Sequence, residues 1–145
     1  MKQMESQANQ PSRALAALRW IATPIAAVLG SVFVYWLVVK ANQISMPFAG
    51  IDPNSLLAEI FTLASSNIIF GGAFVYIAIY VAPSHEKKVA IVFAGLLILL
   101  AGVALFQSIL ANDWKVILQL MLAALAAATL AYDRAINDIP LDEMW

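Results

Sequence analysis

The chain has 145 residues, of which 63% are hydrophobic and 12% are charged, and its mean hydropathy of +0.84 lies well above that of soluble globular domains. Its formal net charge of -1 gives no basic footprint for a nucleic-acid partner. Cysteine is absent and His85 is the one histidine, which excludes disulfides, thiolate chemistry and a multi-histidine metal or haem site within one copy. The composition predicts an integral membrane protein.

Four apolar segments follow one another along the chain, each close to the roughly 20 residues that cross about 30 Å of hydrocarbon. We expect transmembrane helices at about residues 20–40, 56–82, 87–111 and 114–133, with short polar tails at both ends. The whole chain, residues 1–145, would then be a single all-α transmembrane domain. Because the second and third connections are short turns, we expect an up-down antiparallel four-helix bundle.

The first predicted span is free of charge between Arg19 and Lys40. Ala22, Ala26 and Gly30 recur within it at spacings of four residues. Such a stripe of small residues lets two membrane helices approach closely. We therefore expect this stripe to be a helix-packing or partner-contact face.

Residues 40–55 are predicted to form the only sizeable loop between spans, because two prolines and a glycine interrupt regular structure there. Within this loop, Asp52 followed by Pro53 has the pattern of a helix N-cap and first helical residue. The second helix is therefore expected to begin at Asp52. Glu59 would then lie in its first turns, at the boundary of the membrane.

The second span carries Asn67 and the pair Gly71-Gly72 near its middle, and the other spans are expected to pack around it. A carboxamide in hydrocarbon needs a hydrogen-bond partner, so we expect Asn67 to bond to another helix. Gly71 and Gly72 predict a packing face. The alternatives are a ligand or ion contact at Asn67, and a hinge or flat-cofactor contact at the glycines.

The third span carries small residues at heptad-like spacing, among them Ala94, Ala101 and Ser108, which predicts a close-packing face. Asn112 and Asp113 then form a turn so short that the third and fourth helices must be antiparallel neighbours. The fourth span is short and rich in alanine. We expect it to be the span most shielded from lipid.

Glu59 is the only acidic residue that could lie inside a span, and intramembrane carboxylates are functional candidates. Gln107, Lys115 and Gln119 are expected at the same level of the membrane. We therefore prefer a polar cluster, with an ion pair between Glu59 and Lys115, over a proton-carrying site.

The distribution of lysine and arginine predicts the orientation of the chain. Four spans place both termini on one side, and six of the eight basic residues fall on that side: Lys2, Arg13, Arg19, Lys87, Lys88 and Arg134. Lys40 and Lys115 fall on the other. Under the positive-inside rule the termini are expected in the cytoplasm of a bacterial-type inner membrane.

No nucleophile with a paired base and no glycine-rich phosphate loop is visible, so no catalytic site, metal site or cofactor is predicted; a bound lipid, quinone or pigment stays open. The excess of small-residue faces predicts an accessory or scaffold subunit packed within a larger membrane complex. Its partners would be membrane lipids and other transmembrane subunits or further copies of itself. The alternative is a homo-oligomeric small transporter or channel that uses Glu59, Asn67 and Gly71-Gly72.

Overall fold

The computed structural model describes residues 13–83 and 85–137, and these residues form four α-helices. In chain order the helices are α1, Arg13–Phe48; α2, Leu56–Val81; α3, Glu86–Leu110; and α4, Trp114–Ile136. Each is long and apolar enough to cross a membrane. The all-helical class is therefore confirmed for this part of the chain, and the predicted polar tails fall mostly outside it.

α1 is longer than the sequence indicates. It has 36 residues, which corresponds to about 54 Å at 1.5 Å per residue, and it runs on through Pro47. The prediction of a loop over residues 40–55 is therefore wrong in its first half. The extra turns are stabilised by packing on α2, since Met46 is only 5% exposed and Asn42 Nδ2 donates a hydrogen bond to Ser65 Oγ at 2.8 Å.

α2 begins three residues later than predicted. Its N-cap is Ser55, whose hydroxyl accepts a hydrogen bond from the Ala58 backbone N–H at 3.2 Å. Asp52 is engaged in the preceding turn, where its Oδ1 accepts from the Asn54 N–H at 2.9 Å. Because the helix begins only at Leu56, directly after the capping Ser55, the predicted cap at Asp52 is wrong. Glu59 still lies in the first turn of α2.

α2 is the centre of the structure, because it contacts all three of the other helices. α3 and α4 also pack on each other, whereas α1 contacts α2 alone among the described helices. The fold is thus a cluster of α2, α3 and α4 with α1 attached to one side of α2. In a closed four-helix bundle α1 and α4 would also be neighbours, and these two described helices make no such contact.

Two pairs of consecutive helices, α1 with α2 and α3 with α4, run antiparallel. Arg19, near the start of α1, donates from Nε to the backbone oxygen of Val81, the last residue of α2, at 3.1 Å. Between α3 and α4 the chain reverses at Asn112, which has a φ of 55°. Asp113 then caps α4 by accepting from the Val116 N–H at 3.3 Å. The predicted tight turn is therefore present.

The apolar core lies where α2, α3 and α4 meet, with one residue added by α1. Phe74 and Phe93 meet at its centre with their ring centroids 5.8 Å apart. Its buried members are Ala27, Phe74, Val75, Ala78, Ile79, Ala82, Val89, Ala90, Phe93, Ala94, Ala127 and Ala131.

The fourth helix is not the one most shielded by the rest of the described chain, contrary to the expectation from its sequence. The buried share of the most apolar window is 17% for both α1 and α4, against 28% for α2 and α3. α4 buries one narrow row of alanines, Ala123, Ala127 and Ala131, and exposes bulky side chains such as Leu125 and Met121. The alanines of α4 therefore pack closely against the neighbouring helices on one side, and the other sides of α4 stay exposed.

Candidate functional site

The middle of α2 lies directly against α4 at Gly71. A Cβ atom placed on Gly71 would lie 2.0 Å from the Ala123 carbonyl oxygen and 2.8 Å from its carbonyl carbon. Real Cβ atoms do not approach other heavy atoms so closely, and the obstacle is backbone that cannot rotate away. The two helices can therefore cross at this distance only because Gly71 has no side chain.

Gly72 has the opposite environment. Apart from the adjacent backbone of α2 itself, no described atom lies within 4 Å of a Cβ placed on Gly72, because the residue opens onto a groove between α2 and α4 of ≈510 Å³. We call this the α2–α4 groove; its other described lining residues are Ile68, Leu122, Leu125, Ala126, Thr129, Leu130 and Asp133. The glycine pair predicted as one face is thus divided between an internal contact and an open surface.

Asn67 makes a hydrogen bond inside its own helix. Its Nδ2 donates to the Leu63 backbone oxygen at 2.8 Å, four residues earlier, instead of to another helix as the sequence predicted. A side-chain amide does bond across helices elsewhere, where Asn42 of α1 donates to Ser65 of α2. Sequence reasoning missed Asn42 because the residue was assigned to a loop. A first helix predicted to continue past Lys40 would have placed Asn42 on its surface, where a polar side chain is a candidate for a bond to another helix.

The stripe predicted on α1 lies at the edge of the contact with α2. Its members, all partly exposed, are Ala22, Ala26 and Gly30. One position further along, Thr23, Ala27 and Ser31 are all 0% exposed. The small residues of α1 therefore pack against α2 inside the chain.

The small-residue face of α3 is also used inside the chain. Its predicted members Ala94, Ala101 and Ser108 are all buried. Gly95 and Gly102 lie elsewhere on the helix, with no described atom within 4 Å of their Cβ positions. Because α1 and α3 use their small faces internally, the excess of such faces is smaller than the sequence indicates. The open glycines within helices are Gly95, Gly102 and Gly72, and of these Gly72 lies in a groove.

Three of the four predicted members of the polar cluster lie together. The Lys115 ammonium donates to the Glu59 carboxylate and so joins the first turns of α2 and α4. Gln119 lines the same cavity of ≈300 Å³, which we call the polar cavity, together with Thr62 and Ser66. Gln107 is an exposed residue of α3 and is not among the described residues that line this cavity.

The charges of the polar cavity are partly solvated. The Lys115 and Glu59 side chains are 44% and 48% exposed, and Lys115 also lies 5.9 Å from the centre of the Trp114 ring. Ser66 is fully buried, and its hydroxyl donates to the Thr62 backbone oxygen at 2.6 Å. The Thr62 hydroxyl donates to Met46 Sδ of α1 at 3.9 Å. The cavity therefore combines an ion pair with hydroxyl groups that already have partners within the chain.

The four described helices define an all-helical protein, and their packing suggests a membrane helical bundle. Among the described residues no group of three or more His, Cys, Asp or Glu side chains is placed to hold a metal ion. In comparisons with known proteins the chain matches no family model, no curated protein and no solved structure. The function is therefore inferred from the geometry of the chain itself.

Proposed function

We propose that the chain is a multi-pass membrane protein that serves as an accessory or scaffold subunit within a larger membrane protein complex. Its four helices would cross the bilayer of a bacterial-type inner membrane and contact lipid on their exposed faces. The observation that supports the subunit role is the α2–α4 groove with Gly72 in its wall. We assign the chain no catalytic activity, cofactor or nucleic-acid partner.

The dimensions of the α2–α4 groove suit a helix. On α4 it extends from Leu122 to Asp133, a rise of about 16 Å or about three helical turns. Gly72 and Ala126 have no bulky side chains to fill the groove, and such small residues let the backbone of another membrane helix come close. The Thr129 hydroxyl is already bonded to the Leu125 carbonyl at 2.8 Å, so the groove offers mainly an apolar surface. We infer that its occupant is a transmembrane helix of another subunit.

The outer face of α1 has a different character. It exposes bulky side chains, including Leu29, Val32 and Phe33, and the Phe33 ring stacks near Trp36 with centroids 6.3 Å apart. Bulky apolar side chains suit contact with acyl chains, whereas a second helix packs best on small residues. The contrast supports lipid contact at α1 and protein contact at the α2–α4 groove.

The proposed orientation rests on the basic residues. Arg19, Lys88 and Arg134 lie at the end where α1 begins and α4 ends, and Lys40 and Lys115 lie toward the other end. The positive-inside rule favours the first end as cytoplasmic.

Site-specific photo-crosslinking in native membranes tests the subunit role. A photoreactive side chain at Leu125, inside the groove, is expected to give a protein adduct of defined mass, and one at the exposed Leu99 of α3 is not. Gly72→Leu should fill the groove and abolish the adduct, whereas Gly102→Leu, also at an open position, should preserve it. Equal adducts in the two leucine variants, or extraction of the unmodified protein only as a free monomer, would contradict the proposal.

The alternative, a homo-oligomeric transporter or channel, is favoured by the polar cavity with Glu59 at its mouth. Because Asn67 bonds to its own helix and Gly71 lies against Ala123, a pathway through those residues would have to run between copies. This function predicts a pH-dependent flux in reconstituted vesicles that Glu59→Gln abolishes while oligomers still assemble. Vesicles of the unmodified protein that show no flux would end it.

A further inference from the structure

A small cavity of ≈230 Å³ lies between α1 and α3, at the end of the molecule where α1 begins. Its described lining residues are Trp20, His85, Lys88, Val89, Val92 and Phe93. α1 and α3 make no direct helix–helix contact in the described part of the chain, since α1 packs on α2 alone. The cavity is therefore a gap between two helices that α2 holds apart.

The walls of this cavity change from apolar to cationic along its length. Val89 and Phe93 are 3% and 9% exposed and belong to the core, so the inner wall is held in place by packing. Lys88 lies in the first turn of α3, and His85 immediately precedes that helix. The cavity thus offers hydrocarbon contact on the inside and positive charge where the apolar segments end.

The geometry points to a binding site for one anionic phospholipid, with an acyl chain against Val89, Val92 and Phe93 and the phosphate beside Lys88. Charge complementarity selects an anion, because the described lining carries the ammonium of Lys88 and no carboxylate. Trp20 supplies an amphipathic ring whose N–H can donate to headgroup oxygens at the membrane boundary. A partner helix fits poorly, since the cavity is small and its walls include two bulky aromatic side chains.

Native mass spectrometry of the full chain in detergent micelles tests the site, with phosphatidylglycerol and phosphatidylcholine as probes of equal acyl chains. The unmodified chain is expected to retain one phosphatidylglycerol in preference to phosphatidylcholine. Lys88→Gln should lower that preference about fivefold, which corresponds to about 1 kcal/mol for one basic residue near a lipid phosphate. Lys87→Gln is the matched control. It removes the same charge from the adjacent residue, and Lys87 is not part of the described lining.

A second variant tests the apolar part of the cavity with both lysines kept. Val92 is 63% exposed, so Val92→Trp should occupy the cavity without disturbing the core, and retention of either lipid should fall. Three results would overturn the proposal: no preference for phosphatidylglycerol in the unmodified chain, an equal loss in the Lys87 and Lys88 variants, or undiminished retention in Val92→Trp. The measurement needs no protein partner, so its outcome is independent of the proposed subunit role.

Discussion

Gly71 of α2 and Ala123 of α4 meet backbone to backbone, with only 2.0 Å between a Cβ placed on Gly71 and the Ala123 carbonyl oxygen. Van der Waals packing is a principal force between helices in a membrane, so the distance at such a crossing decides how much contact the pair makes. α2 is also the helix that contacts all the others. Any change that separates α2 from α4 is therefore expected to affect the whole fold.

Gly71→Ala is predicted to destabilise the protein by about 1–3 kcal/mol, the usual cost of overpacking a closely packed contact. The added methyl group meets a carbonyl that cannot move without shifting α4. The free energy of unfolding in mixed detergent micelles measures this effect.

Gly72→Ala is the matched control, since it adds the same methyl group at the next residue of the same helix. A Cβ there meets no described atom within 4 Å, and alanine favours helix by up to about 1 kcal/mol over glycine. Gly72→Ala should therefore be neutral or stabilising. Equal destabilisation by the two variants would show that the crossing does not depend on Gly71.

The hydrogen bond from Asn42 to Ser65 is predicted to couple the last turns of α1 to α2. In a double-mutant cycle with Asn42→Ala and Ser65→Ala, the coupling energy should be about 0.6 kcal/mol, the average for hydrogen bonds between membrane helices, and at most about 1.7 kcal/mol. Asn67→Ala paired with Ser65→Ala is the control, because Asn67 bonds to its own helix. A coupling near zero for the first pair would mean that packing around Met46 alone extends α1.

The ion pair between Glu59 and Lys115 is predicted to add little stability. Both side chains are nearly half exposed, at 48% and 44%, and such pairs typically contribute about 0–1 kcal/mol. A double-mutant cycle with Glu59→Gln and Lys115→Gln should give a coupling energy in that range that falls as salt is added. A coupling energy of several kcal/mol that is insensitive to salt would instead indicate a desolvated pair.

The sequence predicted the helices well and their mutual placement poorly, for a physical reason. Span length and turn chemistry are local properties, so the apolar runs and the Asn112-Asp113 turn located α2, α3 and α4 within a few residues. The end of α1 depends instead on contacts from Asn42 and Met46 to α2. Such contacts between distant segments leave no periodic signal.

The candidate sites likewise combine features that the sequence predicts locally with features that depend on contacts between distant segments. Adjacent residues of a helix point about 100° apart, so only one of Gly71 and Gly72 could face a given neighbour. Which of them does so depends on where α4 lies. The cavity between α1 and α3 likewise exists because α1 packs on α2 alone among the described helices, and nothing in the small-residue stripe of α1 identifies its partner helix. By contrast, the contact of Glu59 with Lys115 followed from their shared level in the membrane.

The contact of Gly30 with Ile77 provides a test of how α1 is attached to α2. A Cβ on Gly30 would lie 2.6 Å from Ile77 Cδ1, which is too close, but this atom is the flexible end of a side chain. Gly30→Ala is therefore predicted to cost about 1 kcal/mol or less, clearly below the cost of Gly71→Ala. Ile77→Val removes the Cδ1 atom and should alone cost about 0.5–1.5 kcal/mol.

The double variant Gly30→Ala/Ile77→Val is expected to be less destabilised than the sum of its parts, because the new methyl group occupies the space that Cδ1 leaves. Free energies of unfolding for the four proteins of this cycle give the coupling directly. Leu29, the neighbour of Gly30 on the exposed side of α1, offers a control: Leu29→Ala with Ile77→Val should be additive. Additivity in the Gly30 cycle as well would place Gly30 away from Ile77 and contradict the packing of α1 on α2.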